Sequence, residues 1–267
     1  MLADIHHGDR RLVARVGGRN GAGVGVLAEK VAIISGAARG QGLAEAERFV
    51  AEGARVVLVD RLAEAVEAAA GRLGDAARFV AGDVADERAW TDAVALATDQ
   101  FGGVDILVNN AGVMVSRSLV DTDEATFRDV LDTNLVGAYL GIRAVVPAMR
   151  ARGGGAIVNT ASAAGLKAIP MGSAYVASKF GLRGLSRAAA LELGRHQIRV
   201  NCVCPGLVRT EMAADLLRYH EKEALANIPL GIAAEATDVA DLVLFLVSDA
   251  ARAISGGEYL IDGASIA

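Results

Sequence analysis

The sequence has only two cysteines among 267 residues, and both lie in one short run. Cys202 and Cys204 are two residues apart in a strand-like segment, too close along an extended backbone to bridge comfortably. A disulfide framework is therefore not available to this chain. We expect a reducing, cytoplasmic setting.

Long apolar runs and basic runs are also missing. The mean hydropathy of +0.36 is high, but glycine and charged residues interrupt each apolar run before it reaches the roughly 18 to 20 residues of a membrane-spanning helix. The formal net charge is −5, and no cluster of Lys and Arg offers a surface to a nucleic-acid backbone. We therefore expect neither a membrane nor nucleic acid as a partner.

The first 29 residues lack a sustained apolar period and are rich in glycine. They predict a disordered N-terminal arm without the apolar core of a secretory signal. His6 and His7 are adjacent but have no further ligands beside them, so we assign no metal site. Residues 30–267 are left as one domain, which is long enough to bury a large core.

From residue 30 onward, short β-branched segments alternate with alanine-rich amphipathic segments. The strand segments are apolar without alternation, which is typical of strands covered by helices on both faces. The pattern predicts an α/β fold, a single doubly wound Rossmann-type parallel sheet of about seven strands. Ligands of such sheets bind at the carboxyl ends of the strands. A long helix is expected over about 122–151, and an irregular or helical substrate segment over about 207–230.

A glycine-rich segment, SGAARGQG, follows the first strand and precedes a helix. Its Gly36, Gly40 and Gly42 let the chain turn tightly and approach a pyrophosphate, whose charge the amides of a helix N-terminus can hold. Asp60 ends the second strand, 18 residues beyond Gly42, where a carboxylate can accept both ribose hydroxyls of adenosine. The segment predicts dinucleotide binding, although Asp60 alone would also suit a solvated strand end.

Tyr175 and Lys179 are one helical turn apart and therefore share a helix face. An ammonium beside a phenol favours the phenolate, which predicts a lowered pKa for Tyr175 and proton exchange with an alcohol. With four Tyr and four Lys in the chain, about 0.06 such pairs are expected by chance. The alternative is an exposed helical pair without a role.

With these motifs in place, the chain from Lys30 to about Gly263 resembles the short-chain dehydrogenase/reductase family. The glycine spacing, the NNAG segment at 109–112 and the PGLVRT segment at 205–210 carry the resemblance, with Ser35 replacing the usual Thr. The resemblance implies a catalytic tetrad of Asn134, Ser162, Tyr175 and Lys179. It also implies these cofactor-binding residues: Gly36, Arg39, Gly40, Gln41, Gly42, Asp60, Asp83, Val84, Asn110, Tyr175, Lys179, Val208 and Thr210.

The activity implied is hydride transfer between NAD(H) and a secondary alcohol or ketone. Tyr175 would be the acid or base, Lys179 would lower its pKa and bind the nicotinamide ribose, and Ser162 would hydrogen-bond the carbonyl oxygen. Asn134 would anchor a water. The apolar composition of 113–120, 163–172 and 207–229 favours an apolar or cyclic substrate, resembling a hydroxysteroid or an alicyclic alcohol. The family resemblance also implies a homotetramer.

Several alternatives remain open at this point. An NADPH-dependent 3-oxoacyl-thioester (acyl carrier protein) reductase resembles the chain over the same length; Asp60 argues against it, whereas Arg39 stands where NADP enzymes of the family often carry a basic residue. A non-catalytic dinucleotide sensor could keep the same fold. Arg117, Lys167 and Arg209 could meet an acidic group on the substrate.

Overall fold

The computed structural model describes residues 25–267. Within them, seven strands form one sheet. The strands are β1 (Val31–Ser35), β2 (Arg55–Asp60), β3 (Ala77–Ala81), β4 (Ile106–Asn109), β5 (Gly155–Thr160), β6 (Ile198–Pro205) and β7 (Glu258–Ile261). They pair in parallel in the order β3-β2-β1-β4-β5-β6-β7. The doubly wound parallel sheet expected from the sequence is confirmed.

Helices cover both faces of this sheet. The α-helices of residues 25–267 are α1 (Gly40–Ala51), α2 (Ala63–Leu73), α3 (Glu87–Phe101), α4 (Glu124–Leu131), α5 (Gly137–Ala151), α6 (Ser173–Leu193), α7 (Ala214–Ala226) and α8 (Ala236–Val247). Neighbouring residues of one strand enter opposite cores: Ile34 packs in the core with Phe49 of α1 and Val243 of α8, and Ile33 in the core with Trp90 of α3. This two-sided burial explains the absence of alternation along the strands.

The helix expected over 122–151 is interrupted by one wider turn. α4 and α5 are joined by a π-helical turn, Asp132–Val136, in which Asn134 is buried. The extent of the helix was therefore close to the prediction, but its regularity was not. π-helical turns inside α-helices occur frequently at functional sites.

The predicted arm, residues 1–29, lies mostly outside the described residues. Its last five residues form a turn in which Leu27 is 1% exposed and its amide donates to Glu52 O at 3.0 Å. The amide of Val26 donates to the Glu52 carboxylate at 3.0 Å. The predicted boundary at residue 29 is wrong for residues 25–29, because the Leu27 side chain packs in the hydrophobic core. These five residues therefore belong to the packed domain.

A search of the helices in residues 25–267 finds none with the length and apolar character needed to cross a membrane.

Candidate active site

The glycine-rich loop lies where β1 ends and α1 begins. Gly36 and Gly40 have φ values of +64° and +59°, in the left-handed region that favours glycine. A Cβ added at Gly42 would lie 2.4 Å from the carbonyl oxygen of Gly36. The loop therefore needs these glycines in order to fold back on itself, and the missing side chains leave its backbone accessible to a ligand.

The N-terminus of α1 is free to bind an anion. Arg39 precedes it without a side-chain capping hydrogen bond, and the first turn contains no acidic residue. Its amides carry the partial positive charge of the helix end. In the same turn, the side-chain oxygen Oε1 of Gln41 is buried and has no hydrogen-bond partner among residues 25–267. The cradle fits the pyrophosphate of a dinucleotide.

Asn110 fastens the glycine-rich loop to β4. Its side-chain amide donates to Ser35 O at 3.1 Å and to Gly36 O at 3.2 Å. The Ser35 hydroxyl accepts from the backbone amides of Asn110 and Ala111, both at 3.1 Å. The side chain of Asn110 thus contacts the glycine-rich loop directly. By holding this loop in place, Asn110 would also affect how the loop binds a cofactor.

Asp60 lies beside the same loop at the end of β2. One carboxylate oxygen accepts from the Ala38 amide and the other from the Leu62 amide, each at 3.0 Å. A carboxylate has about four lone-pair sites, so acceptor capacity remains for two ribose hydroxyls. Arg39 and Arg61 next to these elements are exposed.

Asp83 and Val84, two of the predicted cofactor-binding residues, follow β3. Val84 is buried, and its carbonyl oxygen accepts from the Trp90 indole at 2.9 Å. Asp83 is exposed and accepts from the Ala85 amide at 2.9 Å. The two residues occupy the carboxyl edge of the sheet, on the same side as Asp60.

The segment after β6 closes on the glycine-rich loop. Val208 is buried and pairs with Ala234, while the methyl group of Thr210 would lie 3.6 Å from a Cβ added at Gly40. A shallow cavity of about 360 Å³ opens here. Its lining residues are Gly40, Arg209, Thr210, Glu211, Ala214 and Leu217. Glu211, whose carboxylate faces Gly40 across this cavity, was not among the residues predicted from the sequence.

Tyr175 and Lys179 lie on α6 and are 9% and 3% exposed. The ammonium nitrogen of Lys179 lies 5.6 Å from the centre of the Tyr175 ring and donates to Thr160 O at 2.7 Å. Gly112 lies close to two members of the tetrad, Lys179 and Asn134. A Cβ added at Gly112 would be 3.3 Å from Lys179 Nζ and 3.4 Å from Asn134 Oδ1. The predicted pair is therefore brought together, at the carboxyl end of β5.

Asn134 is held in the π-helical turn by three hydrogen bonds. Its Oδ1 accepts from the Val113 amide at 2.8 Å, and its Nδ2 donates to Val113 O at 2.9 Å and to Ser178 Oγ at 3.0 Å. Ser178 in turn donates to Tyr175 O at 2.7 Å. The sequence analysis missed Ser178, although its position three residues after Tyr175 places it near the same helix face.

Ser162 follows β5 and begins a short 3₁₀ turn, Ala163–Gly165. Its Oγ accepts from the Ala164 amide at 3.1 Å and donates to Pro205 O at 3.4 Å. The hydroxyl lies close enough to Tyr175 to act on its ionisation. All four residues of the predicted tetrad thus meet at one edge of the sheet.

Burial governs the ionisation of the pair on α6. It raises the pKa of Tyr175, an effect that the Ser162 hydroxyl partly offsets. It lowers the pKa of Lys179 to about 8, against a smaller opposing effect of the Cys202 and Cys204 thiols. The lowered phenol pKa expected from the sequence is wrong for the protein alone, because burial of the phenol raises its pKa.

Apolar side chains are exposed on and next to the three segments whose composition favoured an apolar substrate. The loop at 113–120 is joined to the loop at 166–172, since the Arg117 amide donates to Met171 O at 2.9 Å. The large apolar residues exposed on these loops and on 212–232 are Met114, Leu119, Val120, Ile169, Met171, Met212, Leu216, Tyr219, Leu230 and Ile232. None of the side chains of α7 is buried by residues 25–267. These exposed side chains suit an apolar ligand.

Three basic residues could meet an acidic group on the substrate, and two of them already have acidic partners. Arg117 lies 3.5 Å from Asp123, and Arg209 lies 2.6 Å from Glu221. Lys167 is exposed. Within residues 25–267, His, Cys, Asp and Glu form no group of three or more that could hold a metal ion.

Known proteins resemble this chain over most of its length. Residues 36–264 match the family described as Enoyl-(Acyl carrier protein) reductase. The chain is 43% identical over 250 residues to the trans-4-hydroxycyclohexanecarboxylate dehydrogenase of Sinomonas cyclohexanicum, covering 90% of this chain and 94% of that protein. It is also 43% identical over 243 residues to the 3-alpha-(or 20-beta)-hydroxysteroid dehydrogenase of Mycobacterium bovis, covering 91% and 92%.

The name of a third relative includes a cofactor. The NADP-dependent (R)-specific alcohol dehydrogenase of Lentilactobacillus kefiri is 39% identical over 243 residues, covering 89% of this chain and 96% of that protein. Among solved structures, a short-chain type dehydrogenase/reductase from Mycobacterium marinum superposes with a TM-score of 0.85 at 33% identity. That match covers 90% of this chain and 96% of the other.

Proposed function

The chain belongs to the short-chain dehydrogenase/reductase family, and we propose that it interconverts a secondary alcohol and a ketone with NAD(H). The convergence of Asn134, Ser162, Tyr175 and Lys179 at the carboxyl edge of the sheet carries the proposal. A protein that only binds the dinucleotide needs a cradle for it, but it does not need a phenol, a hydroxyl and an ammonium placed close together.

The residues present fit a nicotinamide dinucleotide. Gly42 leaves a cradle that a Cβ would fill, α1 presents free amides to the pyrophosphate, and Asp60 keeps lone pairs for the adenosine ribose. Val208 and Thr210 lie across from the glycine-rich loop, where they would hold the carboxamide. When bound, the nicotinamide ring supplies the hydride acceptor or donor.

The protein's part in the reaction is to position the alcohol and move its proton. Tyr175 would take the proton from the alcohol oxygen, or return it to the ketone, and the Ser162 hydroxyl would hydrogen-bond that oxygen as its charge changes. The Lys179 ammonium has three N–H donors, and one of them donates to Thr160 O. The other two are available to the phenol and to the ribose.

For the cofactor we favour NAD over NADP. Asp60 would face the 2′-phosphate of NADP, a like-charge contact costing on the order of 1 to 4 kcal/mol at 4 Å for effective dielectrics of 80 to 20. Arg39 and Arg61 are exposed and free to turn toward that phosphate. One relative, the L. kefiri enzyme, is named NADP-dependent.

For the substrate we propose an apolar or cyclic secondary alcohol. The exposed apolar side chains of residues 113–120, 166–172 and 212–232 agree with this, as do the names of relatives that act on a hydroxycyclohexanecarboxylate and on hydroxysteroids. The 3-oxoacyl-thioester reductase considered from the sequence is not favoured by these relatives.

A homotetramer in a reducing, cytoplasmic setting completes the proposal. Helices α5 and α6 expose Tyr139, Phe180 and Leu191, whereas α8 and the edge strand β7 expose Phe245 and Leu260. Two separate apolar faces are what a tetramer with two kinds of two-fold interface requires. The two cysteines are buried free thiols.

The test is a panel of steroid, alicyclic and 3-hydroxyacyl alcohols assayed with NAD and with NADP. We expect oxidation of cyclic alcohols, and a loss of at least about a hundredfold in kcat for Tyr175→Phe with nearly unchanged NAD affinity, because the phenol is the proton acceptor. Tyr139→Phe on α5 is the matched control and should retain activity. Substantial turnover by Tyr175→Phe would contradict the assignment.

A further inference from the structure

Arg183 lies one helical turn after Lys179 on α6 and links two distant parts of the chain. Its guanidinium donates through one terminal nitrogen to Gly165 O and through the other to Glu258 Oε2, the latter at 2.7 Å. The two side chains are only 15% and 11% exposed. A buried guanidinium with two fixed acceptors has little freedom, so it holds both acceptors in place.

The first of these acceptors belongs to the turn that carries Ser162. The Gly165 amide donates to Ser162 O at 2.8 Å, and the Ala164 amide donates to Ser162 Oγ at 3.1 Å. The same turn is pressed against α6, since a Cβ added at Gly165 would lie 3.0 Å from Lys179 O. A hydrogen bond to Gly165 O therefore acts on both the backbone and the hydroxyl of Ser162.

The second acceptor is anchored in the sheet. Glu258 begins β7 and pairs in register with Cys202 of β6, the strand whose last carbonyl, Pro205 O, lies 3.4 Å from Ser162 Oγ. Glu258 Oε1 also lies 3.0 Å from Arg187 Nε, whose side chain is 60% exposed. Arg187 thus shares the carboxylate without the buried link to Gly165, which makes it a natural control.

We propose that Arg183, held by Glu258, is a positioning residue for Ser162: it fixes the turn Ala163–Gly165 on α6 and keeps the serine hydroxyl beside the Tyr175 phenol. The inference rests on the proposed function, because it assigns Arg183 to the same reaction. Catalytic groups need supporting contacts of this kind, since small misplacements lower turnover strongly.

Arg183→Met tests the proposal, with Arg187→Met as its matched control. We expect Arg183→Met to lower kcat about tenfold to a hundredfold, to leave the dissociation constant of NAD within about twofold, and to move the kcat–pH profile to higher pH. The last effect follows because the Ser162 hydroxyl counteracts the raised pKa of Tyr175. Arg187→Met should behave like the unaltered protein.

Arg183→Lys guards against a variant that fails to fold, because it keeps a charge beside Glu258. One ammonium can serve Gly165 O or Glu258 but lacks the fork that reaches both, so we expect partial recovery of kcat and of the pH profile. A folded Arg183→Met with unchanged kcat and pH profile would overturn the proposal. So would an Arg187→Met that loses as much activity as Arg183→Met, or an Arg183→Lys no better than Arg183→Met.

A titration of Tyr175 separates this inference from the proposed function. Phenolate absorbance of the protein without alcohol, minus that of Tyr175→Phe, reports the ionisation of Tyr175 alone. Its midpoint should be higher in Arg183→Met than in the unaltered protein, and an equal midpoint would refute the positioning role. Failure of the unaltered protein to oxidise any alcohol would refute the proposed function and would leave this comparison intact.

Discussion

The carboxylate of Asp60 has two roles that substitution can separate. In the proposed function it would oppose the 2′-phosphate of NADP, and in the structure it accepts from the Ala38 amide in the glycine-rich loop. Asp60→Asn keeps an acceptor for that amide and removes the charge, whereas Asp60→Ala removes both.

For the unaltered protein we expect kcat/KM to favour NAD by about tenfold or more, from a like-charge cost of 1 to 4 kcal/mol. Asp60→Asn should erode this preference mainly by improving NADP, and Asp60→Ala should additionally weaken NAD. Steady-state kinetics with both cofactors measure each effect. Equal use of NAD and NADP by the unaltered protein would show that Arg39 outweighs the carboxylate.

Glu45 of α1 predicts a pH dependence of stability. Its carboxyl is fully buried, neither oxygen has a hydrogen-bond partner within residues 25–267, and burial raises its pKa from 4.5 to about 8. Because the folded state holds this proton more tightly than the unfolded state, the free energy of unfolding contributed by Glu45 falls as pH rises from about 4.5 to 8. By pH 8 the loss is on the order of a few kcal/mol.

Glu45→Gln has no proton to lose and should flatten this slope. Urea unfolding at pH 5, 6.5 and 8 would show the variant gaining stability relative to the unaltered protein as pH rises. Glu47→Gln, on the exposed side of α1, is the control and should leave the slope unchanged. Parallel stability curves for Glu45→Gln and the unaltered protein would exclude the buried proton.

Residue-scale predictions from the sequence succeeded where the geometry is local. The spacing of Tyr175 and Lys179 fixes their shared helix face, and the structure brings them together. The direction of the Tyr175 pKa was wrong because it depends on burial by other elements, which spacing does not reveal. Arg183 and Glu258 are 75 residues apart, and no local pattern connects them.

At the scale of elements, the turn at residues 25–29 can be tested by truncation. Removing residues 1–28 takes Leu27 from the core and the Val26 amide from Glu52, and should lower the free energy of unfolding by about 2 to 5 kcal/mol, the usual range for losing a buried Leu. Removing residues 1–24 keeps these contacts and should change stability little, because that segment is rich in glycine. Thermal unfolding compares the two; equal melting temperatures would show that Leu27 contributes nothing.

Strands and the glycine-rich loop were predictable as elements, whereas the π-helical turn was not. An apolar run between glycines specifies a buried strand, and a strand followed by spaced glycines specifies the loop. The π-helical turn, Asp132–Val136, carries no such signature, and the hydrogen-bond partners of Asn134 within it, Val113 and Ser178, are 21 and 44 residues away.

At the scale of the whole molecule, a parallel sheet with helices on both faces follows from the alternating pattern and right-handed crossovers. The order of the strands, with its reversal at β1, does not follow from handedness alone. The proposed assembly does not follow from the pattern either, since the exposed apolar side chains on α5 and α6 and on α8 and β7 are identified only once the chain is folded. Their residues were scattered among helices whose other apolar side chains fill the core.

Phe245→Glu tests the exposed apolar side chains on α8 and β7. It places a charge on an exposed apolar position of α8 and should convert a tetramer into dimers while leaving each subunit folded, because a charge excluded from water at an interface is costly. Light scattering at micromolar concentration measures the mass, and circular dichroism checks the fold. A monomeric unaltered protein would contradict the proposed assembly.

The wider turn between α4 and α5 also fixes how the faces of the two helices are rotated relative to each other. A π-helical turn closes its hydrogen bonds over one residue more than an α-helical turn. Deleting one residue from Asp132–Val136 is therefore expected to restore a regular helix and to rotate everything before the deletion by about 100° relative to everything after it. Asn134 would then lose its alignment with Val113 and Ser178.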